Sequence, residues 1–427
     1  MTRIAIATLG CKTNAYESAA IVGQFEGQDV LVVPFDEPAD LYIINTCTVT
    51  NRTDFKSRNL IRKAFQQKAL NPLAKVIVTG CYAQRSPGEI EAMGGVDLIV
   101  DNQSKLDIAT ILREGSYQFG DIMNATEFSY RPVSSMVDHS RAFQKIQDGC
   151  DFYCAYCAIP YARGHNRSAK LSDVVAQARL FVDSGYKEIV LGGVNLGLYR
   201  DGTNALPEVI QALHDIEGLQ LIRLSSLEPQ LITQEIINSL QHGKKLCPHL
   251  HIALQSGCDS VLGRMGRHYD TKQIRDLVDK LLSSIPSIAL GFDVIVGFPG
   301  ESQEEFEQTR MFLDSLPIAY LHVFSYSKRK NTVAASLPNQ VSAAEKSKRA
   351  VILAALSKRK KDLFMQRLIN DKVGLRGICE AHKDGYTTML TDHYLRAYLP
   401  GELELGSLAR CVPTKTYLDG VLGQVED

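Results

Sequence analysis

The sequence predicts an α/β protein in three parts: an open parallel α/β sheet, a partial (β/α)6 barrel of the TIM type and a small β-barrel. Three observations favour this class. Short apolar runs alternate with helical stretches at the start, six further strand and helix pairs follow, and the last sixty or so residues hold short β-type runs between Gly-rich turns. A chain of 427 residues, 45% of them hydrophobic, can fill more than one core. The predicted boundaries are residues 1–120, 136–365 and 366–427.

In the first part, strand-like runs are separated by helical patterns, the order expected of a parallel sheet. The runs are Ile4–Leu9, Leu41–Asn45, Val76–Thr79 and Val96–Val100, and the clearest helices are Glu17–Phe25 and Asp54–Ala69. The carboxyl ends of parallel strands lie along one edge of a sheet, where such folds bind ligands. Residues that follow these runs should therefore meet.

The second part repeats the alternation six times, which predicts a parallel barrel shorter than the complete eight-unit form. Its strands are Ala142–Gln147, Glu188–Gly192, Gln220–Ser225, Leu250–Leu254, Phe292–Gly297 and Leu321–Ser325. Its clearest helices are Asp173–Val182, Gln234–Leu240, Lys272–Leu282 and Glu304–Leu316. The last helix should begin with a capping box formed by Ser302 and Glu305.

A basic helix and a set of short β runs complete the chain. Residues 343–368 read as one long helix with eight Lys or Arg residues, either a positive RNA-binding surface or simply a solvated face. The β runs, which predict a small barrel, are Gly374–Glu380, Thr387–Leu390, Leu395–Leu399, Ser407–Val412 and Val421–Val425.

Composition limits the classes of function. A net charge of −1 and a pI near 6.8 exclude a global basic field, so an RNA-binding surface would have to be a local patch. No apolar segment reaches transmembrane length, and we expect a soluble cytoplasmic protein without a membrane partner. Ten cysteines in such a protein favour metal or cluster ligation or simple burial over disulfides.

Three cysteines each follow a strand of the first part. The segments "IAIATLGC", "LYIINTC" and "KVIVTGC" end at Cys11, Cys47 and Cys81, here called the N-terminal cysteines. Each one alone could be a small buried residue, as free cysteines often are. Their shared position at the sheet edge instead predicts that the three thiols converge.

A second trio, the barrel cysteines, is Cys150, Cys154 and Cys157, in a C-x3-C-x2-C spacing after the first barrel strand. A structural zinc site would require a fourth ligand, and the ferredoxin spacing differs. Three thiolates on a [4Fe–4S] cube would leave one iron open for a substrate. Zinc binding or a structural role is the alternative.

These motifs resemble one known family. The C-x3-C-x2-C spacing with Tyr156 before the last cysteine is similar to the radical S-adenosylmethionine signature. With "IQDGCDFYCAYCAIPYARG", "RLSSLEP", "HLHIALQSG" and "DVIVGFPGE", the chain resembles the methylthiotransferases over essentially its whole length. "TLGCKTN" and "HVFSYSKRKNT" resemble the type that modifies threonylcarbamoyladenosine at position 37 of tRNA, and the last part resembles TRAM, an RNA-binding barrel.

The resemblance implies two [4Fe–4S] clusters and S-adenosylmethionine as cofactors. The barrel cysteines would hold the cluster whose free iron chelates S-adenosylmethionine, which an electron cleaves to release a 5′-deoxyadenosyl radical. The N-terminal cysteines would hold a second cluster that carries the sulfur or methylthio group destined for C2 of A37. A flavodoxin- or ferredoxin-like electron donor and a sulfur source are the further partners implied.

Motif matching also suggests cofactor-binding residues at the strand ends of the barrel, where barrel active sites form. They are Asn195, Ser225, Ser226, Glu228, Gln255, Gly297 and Phe298, with the glycine allowing close approach to the adenine. For the polar ones the alternative is a hydrogen-bonded residue in a loop. Arg163, as a catalytic residue, and Arg267 are candidates to bind the tRNA backbone or the threonylcarbamoyl carboxylate, with a surface salt bridge as the alternative.

The remaining cysteines and two histidines fit no ligand spacing. Cys247, Cys258, Cys379 and Cys411 are predicted to be buried thiols, and His249 and His251 to line the core or a pocket. Rival functions are methylthio transfer to isopentenyladenosine in tRNA or to an aspartate of ribosomal protein S12. A rival from another class is a non-catalytic iron–sulfur protein that binds RNA or carries electrons.

Overall fold

The computed structural model describes residues 1–25, 27, 29–136 and 139–426. The predicted α/β class is confirmed, with parallel sheets followed by a closed β-barrel. None of the described helices is both long and apolar enough to cross a membrane.

The first part is a five-stranded parallel sheet with the order β2-β1-β3-β4-β5. Its strands are β1 (Thr2–Thr8), β2 (Val30–Val33), β3 (Leu41–Thr46), β4 (Lys75–Gly80) and β5 (Leu98–Ile99). Its helices are α1 (Lys12–Gly23), α2 (Asn51–Leu70), α3 (Cys81–Arg85), α4 (Pro87–Glu91) and α5 (Ile108–Glu114), with 3₁₀ turns at Ser104–Asp107 and Ile122–Asn124. Strand β2 was not predicted. It lies at the edge and leaves Leu31 and Val32 exposed, so its sequence shows no alternation of buried and exposed residues.

The six predicted barrel strands are present as two three-stranded parallel sheets, ordered β10-β9-β6 and β11-β12-β13. Parallel bridges from Ile222 to Leu246 and from Leu227 to Ile252 connect the sheets into one incomplete barrel. The strands are β6 (Ala142–Lys145), β9 (Glu188–Gly192), β10 (Leu221–Leu224), β11 (His249–Gln255), β12 (Ala289–Val296) and β13 (Tyr320–Ser325), with a separate ribbon of β7 (Gln147–Asp148) and β8 (Arg167–Ser168).

Helices cover the outside of these strands. They are α6 (Pro160–Arg163), α7 (Leu171–Asp183), α8 (Leu206–His214), α9 (Gln234–His242), α10 (Asp259–Met265), α11 (Thr271–Ser284), α12 (Gln303–Ser315), α13 (Val333–Ser336) and α14 (Ala343–Asn370), with 3₁₀ turns at Leu196–Leu198 and Pro229–Leu231. The predicted capping box is confirmed. Ser302 Oγ accepts the Glu305 N–H at 3.2 Å, and the Glu305 carboxylate accepts the Ser302 N–H at 2.9 Å.

The last part is a closed five-stranded barrel with the order β14-β15-β16-β18-β17. Its strands are β14 (Leu375–Lys383), β15 (Tyr386–Thr391), β16 (Arg396–Pro400), β17 (Leu408–Tyr417) and β18 (Gly420–Val425). The end of α14 contributes Phe364, Met365 and Leu368 to the core of this barrel.

Packing between the parts positions the strand ends that carry the cysteines. Helix α1 lies against β6, and Tyr16 and Ile21 share one hydrophobic core with Phe143 and Ile146 of the barrel segment. At the opposite end, the buried Arg223 donates hydrogen bonds to backbone carbonyls in the turn after β15. Both outer parts are therefore fixed against the barrel.

Candidate functional site

The barrel cysteines lie in the loop between β7 and β8, and all three side chains are partly exposed. A donor lies near each sulfur. The donors are the Asn195 side-chain amide at 3.7 Å from Cys150, the Arg267 guanidinium at 3.0 Å from Cys154, and the Ile159 backbone N–H at 3.4 Å from Cys157. Hydrogen bonds to sulfur favour the thiolate form, which is the form that binds metal.

Burial opposes ionisation of these thiols in the absence of a metal. It raises the pKa of Cys157 to about 12, with the nearby charge of Cys154 as the second cause, and it also raises the pKa of Cys150. A bound metal reverses this balance because its positive charge deprotonates the thiol directly. The loop is therefore suited to hold a cationic group against three sulfurs.

The N-terminal cysteines converge as their strand-end positions predict. A Cβ atom at Gly10, where φ is +102°, would lie 2.7 Å from Cys47 Sγ, so only a glycine fits beside this thiol. Burial, with the nearby charges of Cys81 and Cys11, raises the pKa of Cys47 to about 12. Cys47 and Cys81 are buried, whereas Cys11 is exposed at the mouth of the barrel.

The donor sets fit a cluster better than a single ion. Within the described ranges, only His251, Asp293 and His322 form a group of three or more potential ligands gathered closely enough for one metal ion, and their ligand atoms lie within 4.8 Å of one another. Neither cysteine trio is that compact. A zinc ion requires ligands at about 2.3 Å from its centre, whereas an iron–sulfur cube holds its thiolates further apart.

Arg163 does not lie on the surface that we expected to meet tRNA. It is 2% exposed, and its guanidinium donates to Glu17 at 2.8 Å, to Asp148 at 3.0 Å and to Asn14 at 2.6 Å. Its Nε also donates to Cys81 Sγ at 3.2 Å. Arg163 is therefore a positioning residue that connects the barrel loop to the sulfur site of the first part, and its guanidinium is not free to bind a phosphate.

Arg267 is likewise buried. Besides its bond to Cys154, it forms an ion pair with Glu228 and donates to the Tyr269 hydroxyl at 2.9 Å. Arg267 thus connects Glu228 to Cys154, and contact of Glu228 with the cofactor stays a prediction. Both residues orient the cysteine loop.

One cavity, of about 240 Å³, lies beside the barrel cysteines. Tyr156, Cys157, Gln255 and Ile295 are among its lining residues. Gln255 has φ of +72° at an irregular point of the β11 and β12 pairing, a strained conformation of the kind that concentrates at binding sites. Gln255 thus lies where the sequence placed a cofactor-binding residue.

A second cavity, of about 500 Å³, opens inside the barrel and is called the interior cavity here. It is lined by residues 10–13, 192–194 and 224–226 together with His249, His251, Asp293, His322, Phe324 and Tyr394. Ser225 and Ser226 therefore lie where we expected them. The buried Ser225 Oγ and Asn195 Oδ1 have no hydrogen-bond partner among the described residues. Both atoms can therefore form a hydrogen bond with a ligand.

Gly297 and Phe298 have packing roles in the structure, and their contact with the cofactor stays a prediction. A Cβ at Gly297, where φ is +73°, would lie 2.4 Å from Cγ of Lys346 in α14, so the glycine makes room for this lysine. Phe298 is fully buried and packs edge-on against Tyr326. The sequence could not distinguish these packing roles from contact with adenine, because glycine and phenylalanine serve both.

Part of the basic helix is held by contacts with its neighbours. Arg349 is buried and pairs with Glu301 at 2.7 Å, and the Lys360 ammonium donates to the Leu316 carbonyl at 2.7 Å. Arg359 pairs with Asp314 at 2.6 Å. The sequence left two interpretations of this helix open, a positive RNA-binding face and a freely solvated face. Neither describes the whole helix.

Three side chains were missed by sequence reasoning. Tyr153, with φ of +46°, and Tyr161 are exposed and in edge contact at 5.9 Å between ring centroids, next to the cysteine loop. Lys12 lines the interior cavity, and burial together with the charges of Arg141 and Arg223 lowers the pKa of its ammonium to about 8. The available signal was position, since Lys12 directly follows Cys11 and Tyr153 directly precedes Cys154.

The other cysteines and the two histidines confirm the prediction. Cys247, Cys258, Cys379 and Cys411 are buried. His249 and His251 are buried and line the interior cavity, and burial lowers the pKa of His249 well below its usual value.

Comparisons with known proteins agree with this architecture. The model of the Radical SAM superfamily matches residues 145–313, and that of "Uncharacterized protein family UPF0004" matches residues 3–101. A solved structure of the radical S-adenosylmethionine methyltransferase TsrM from Kitasatospora setae shares the fold, with a TM-score of 0.59 and 15% identity over 78% of this chain and 77% of that one.

Curated relatives extend the match across nearly the whole chain. The threonylcarbamoyladenosine tRNA methylthiotransferase MtaB of Bacillus subtilis is 39% identical over 94% of this chain and 91% of its own length. The protein of the same name from Aquifex aeolicus is 36% identical over 96% of this chain and 99% of its own length. The chain therefore belongs to the MtaB-type tRNA methylthiotransferases of the radical S-adenosylmethionine superfamily, enzymes whose cofactors are S-adenosylmethionine and [4Fe–4S] clusters.

Proposed function

We propose that this enzyme transfers a methylthio group to C2 of N6-threonylcarbamoyladenosine at position 37 of tRNA, using two [4Fe–4S] clusters. One observation carries the proposal: the interior cavity is lined on one side by Cys11 and on the other by Ser225 and Ser226. A sulfur-bearing site and a cofactor site thus face one enclosed space. A base inserted there would be within reach of both.

We assign the barrel cysteines to the cluster that binds S-adenosylmethionine and the N-terminal cysteines to the second cluster. When bound, these groups supply the radical and sulfur chemistry that an unactivated adenine C–H bond requires. The contribution of the chain is to hold, orient and shield them. The C-x3-C-x2-C spacing of the barrel cysteines and the strand-end positions of the N-terminal cysteines support the assignment.

Polar groups near the cysteine loop would orient S-adenosylmethionine. The unpartnered Asn195 Oδ1 and Ser225 Oγ can each accept or share a hydrogen bond, and Gln255 lies at the cavity beside Cys157. Buried polar atoms without partners are costly, so a ligand that satisfies them gains that free energy on binding. Arg267, Glu228 and Arg163 hold the loops on which these groups sit.

The tRNA would approach the exposed rim that carries Tyr153 and Tyr161, because unstacked bases of an anticodon loop stack on exposed aromatic rings. The closed C-terminal barrel, as a TRAM-like domain, would add phosphate contacts. A flavodoxin- or ferredoxin-like electron donor and a sulfur source complete the partners. Free cysteines in this number suit a reducing compartment, and we place the reaction in the cytoplasm.

The test is product analysis with anaerobically reconstituted enzyme, S-adenosylmethionine, a reductant and defined substrates. We expect the methylthio nucleoside from tRNA that bears threonylcarbamoyladenosine. Cys154→Ala should abolish formation of 5′-deoxyadenosine, whereas Cys47→Ala should keep this cleavage and lose the methylthio product. If product formed only on dimethylallyladenosine tRNA or only on ribosomal protein S12, that molecule would be the substrate instead. Cluster spectra without cofactor cleavage would indicate a non-catalytic protein.

A further inference from the structure

The interior cavity contains one cation without a partner. Lys12 is the only lysine or arginine among the described residues that line it. Among the described residues, none forms a hydrogen bond or ion pair with its ammonium, whereas the buried Lys105, Lys145 and Arg223 are each paired with a carboxylate. A half-buried cation without an anion loses part of its hydration and gains no ion pair in return, so an anionic ligand would stabilise such a site.

The charged groups around Lys12 are already paired with one another. The charges of Arg141 and Arg223 both act on Lys12, and Glu188 is the nearby carboxylate. Glu188 is already engaged, since its Oε1 accepts from Arg223 Nε at 2.7 Å and lies 3.8 Å from Arg141 Nη1. Arg141 also pairs with Glu380 at 2.9 Å, so Glu188 and Glu380 balance the two arginines and neither carboxylate is left to neutralise Lys12.

Asp293, the one carboxylate among the described lining residues, does not neutralise Lys12. Asp293 lies 2.7 Å from His251 Nε2 and 3.5 Å from His322 Nδ1, so its oxygens are directed to the two histidines. These contacts lower the pKa of Asp293 below its usual value and keep it ionised. No described acidic side chain is within 4.0 Å of the Lys12 ammonium.

The two cations that the sequence offered for carboxylate recognition are not available. Arg163 is bound to Glu17 and Asp148, and Arg267 is bound to Glu228. Threonine attached through its amino nitrogen keeps a free carboxylate, whereas a dimethylallyl group has no charge. A site that recognises the threonine carboxylate therefore requires a free cation. A dimethylallyl group would leave such a cation unpaired.

We infer that Lys12 forms a carboxylate-binding subsite at the inner end of the interior cavity and that it selects a target adenine carrying an amino-acid substituent. This inference rests on the proposed function. The walls suit such a group: Tyr394 of the C-terminal barrel stacks on His249 at 4.6 Å between ring centroids and closes the cavity with an aromatic pair. All three parts of the chain then contribute to recognition of one substituent.

The carboxylate of S-adenosylmethionine is a second anion of the kind that Lys12 would bind. In the proposed function, S-adenosylmethionine is bound beside the barrel cysteines, near Asn195 and Ser225. Lys12 instead belongs to the first part of the chain and follows Cys11. The experiment separates the two sources by measuring cofactor cleavage and substrate binding independently.

The test compares anticodon stem-loop RNAs that carry the threonylcarbamoyl group as the free acid or as its methyl ester. Binding to the anaerobically reconstituted full-length enzyme is followed by fluorescence anisotropy. The wild-type enzyme should bind the acid about 10- to 100-fold more tightly, the factor expected for a charge-assisted hydrogen bond. Equal binding of acid and ester by the wild-type enzyme overturns the inference without any mutation.

Variants then assign the effect to the residue. Lys12→Met should bind acid and ester alike, Lys12→Arg should retain a preference for the acid, and the control Lys272→Met, whose side chain is 84% exposed on α11, should behave as wild type. Iron content and 5′-deoxyadenosine formation should be unchanged in Lys12→Met. The inference is refuted if Lys12→Met keeps the full preference for the acid, or if it loses cofactor cleavage with its iron intact. A wild-type enzyme that binds the RNA but forms no methylthio product would instead refute the proposed function.

Discussion

Replacing Arg163 by methionine tests how the first part is held against the barrel. The guanidinium is 2% exposed and lies between Glu17 of α1 and Asp148 of the barrel loop, with hydrogen bonds to both carboxylates and to Asn14. Methionine fills similar volume but supplies no charge. The variant leaves two buried carboxylates short of a cation, which destabilises a protein by about 3–5 kcal/mol.

The structure favours the lower end of this range. Lys145 remains 2.7 Å from Glu17 and 2.6 Å from Asp148, and Lys105 also pairs with Glu17. Glu17 therefore keeps two ammonium partners and Asp148 keeps one, with Lys145 shared between them. We expect a loss of about 3 kcal/mol in the free energy of unfolding at pH 7.

The loss should depend on pH. Arg163 and its lysine neighbours keep the pKa of Glu17 and of Asp148 well below the ordinary range, so in the wild-type protein their stabilisation is present above the unfolded pKa of about 4 and is lost as pH falls below it. Without Arg163 both pKa values rise, and protonation relieves the buried charge on acidification. The deficit of Arg163→Met should therefore be smaller below about pH 4 than at pH 7.

Urea unfolding of the reduced apo chain, followed by far-UV circular dichroism because the chain has no tryptophan, measures this difference. Arg3→Met is the matched control. Arg3 pairs with Glu37 at 2.9 Å but is 38% exposed, and its loss should cost less than about 1 kcal/mol. A deficit for Arg163→Met no larger than that of the control, or one independent of pH, would refute the reasoning.

Three further predictions concern the clusters and the rim. Gly10→Ala should drive a Cβ into the neighbouring thiol of Cys47, which should lower the iron content by about half and leave cofactor cleavage intact. The control Gly115→Ala, also at positive φ but with open space around it, should keep its iron. Arg267→Met removes the hydrogen bond to Cys154 and should make the reduction potential of that cluster more negative in an EPR-monitored titration. Tyr153→Ala should raise the KM for tRNA about 5-fold or more with little change in kcat, since stacking on one base contributes about 1–3 kcal/mol; an unchanged KM would exclude Tyr153 from the RNA surface.

The strand ends could be predicted because one rule governs them. Parallel strands place their carboxyl ends at one edge, so Cys11, Cys47 and Cys81 had to approach one another once β1, β3 and β4 were recognised. The same rule placed Ser225 and Gln255 at cavities. Each of these residues is positioned by its own strand and its nearest neighbours, which the local sequence determines.

The misplaced residues depend on how the parts dock. Arg163 reads as an exposed loop cation until α1 brings Glu17 against it, and Glu17 is 146 positions away in the sequence. Lys12 likewise enters the interior cavity only because the first part covers the barrel mouth. Hydrophobic periodicity specifies strands and helices but carries no information about which charged side chains meet across such an interface.

Iron counting on triple variants tests the central claim most directly. The account predicts about eight irons per chain in the anaerobically reconstituted wild-type enzyme and about four in each variant that replaces one complete cysteine trio by alanine. The variant lacking Cys11, Cys47 and Cys81 should keep the cluster that supports cofactor cleavage, and the variant lacking Cys150, Cys154 and Cys157 should lose that cleavage. Full iron content after removal of the first trio, or about four irons in the wild-type enzyme, would contradict the two-cluster site.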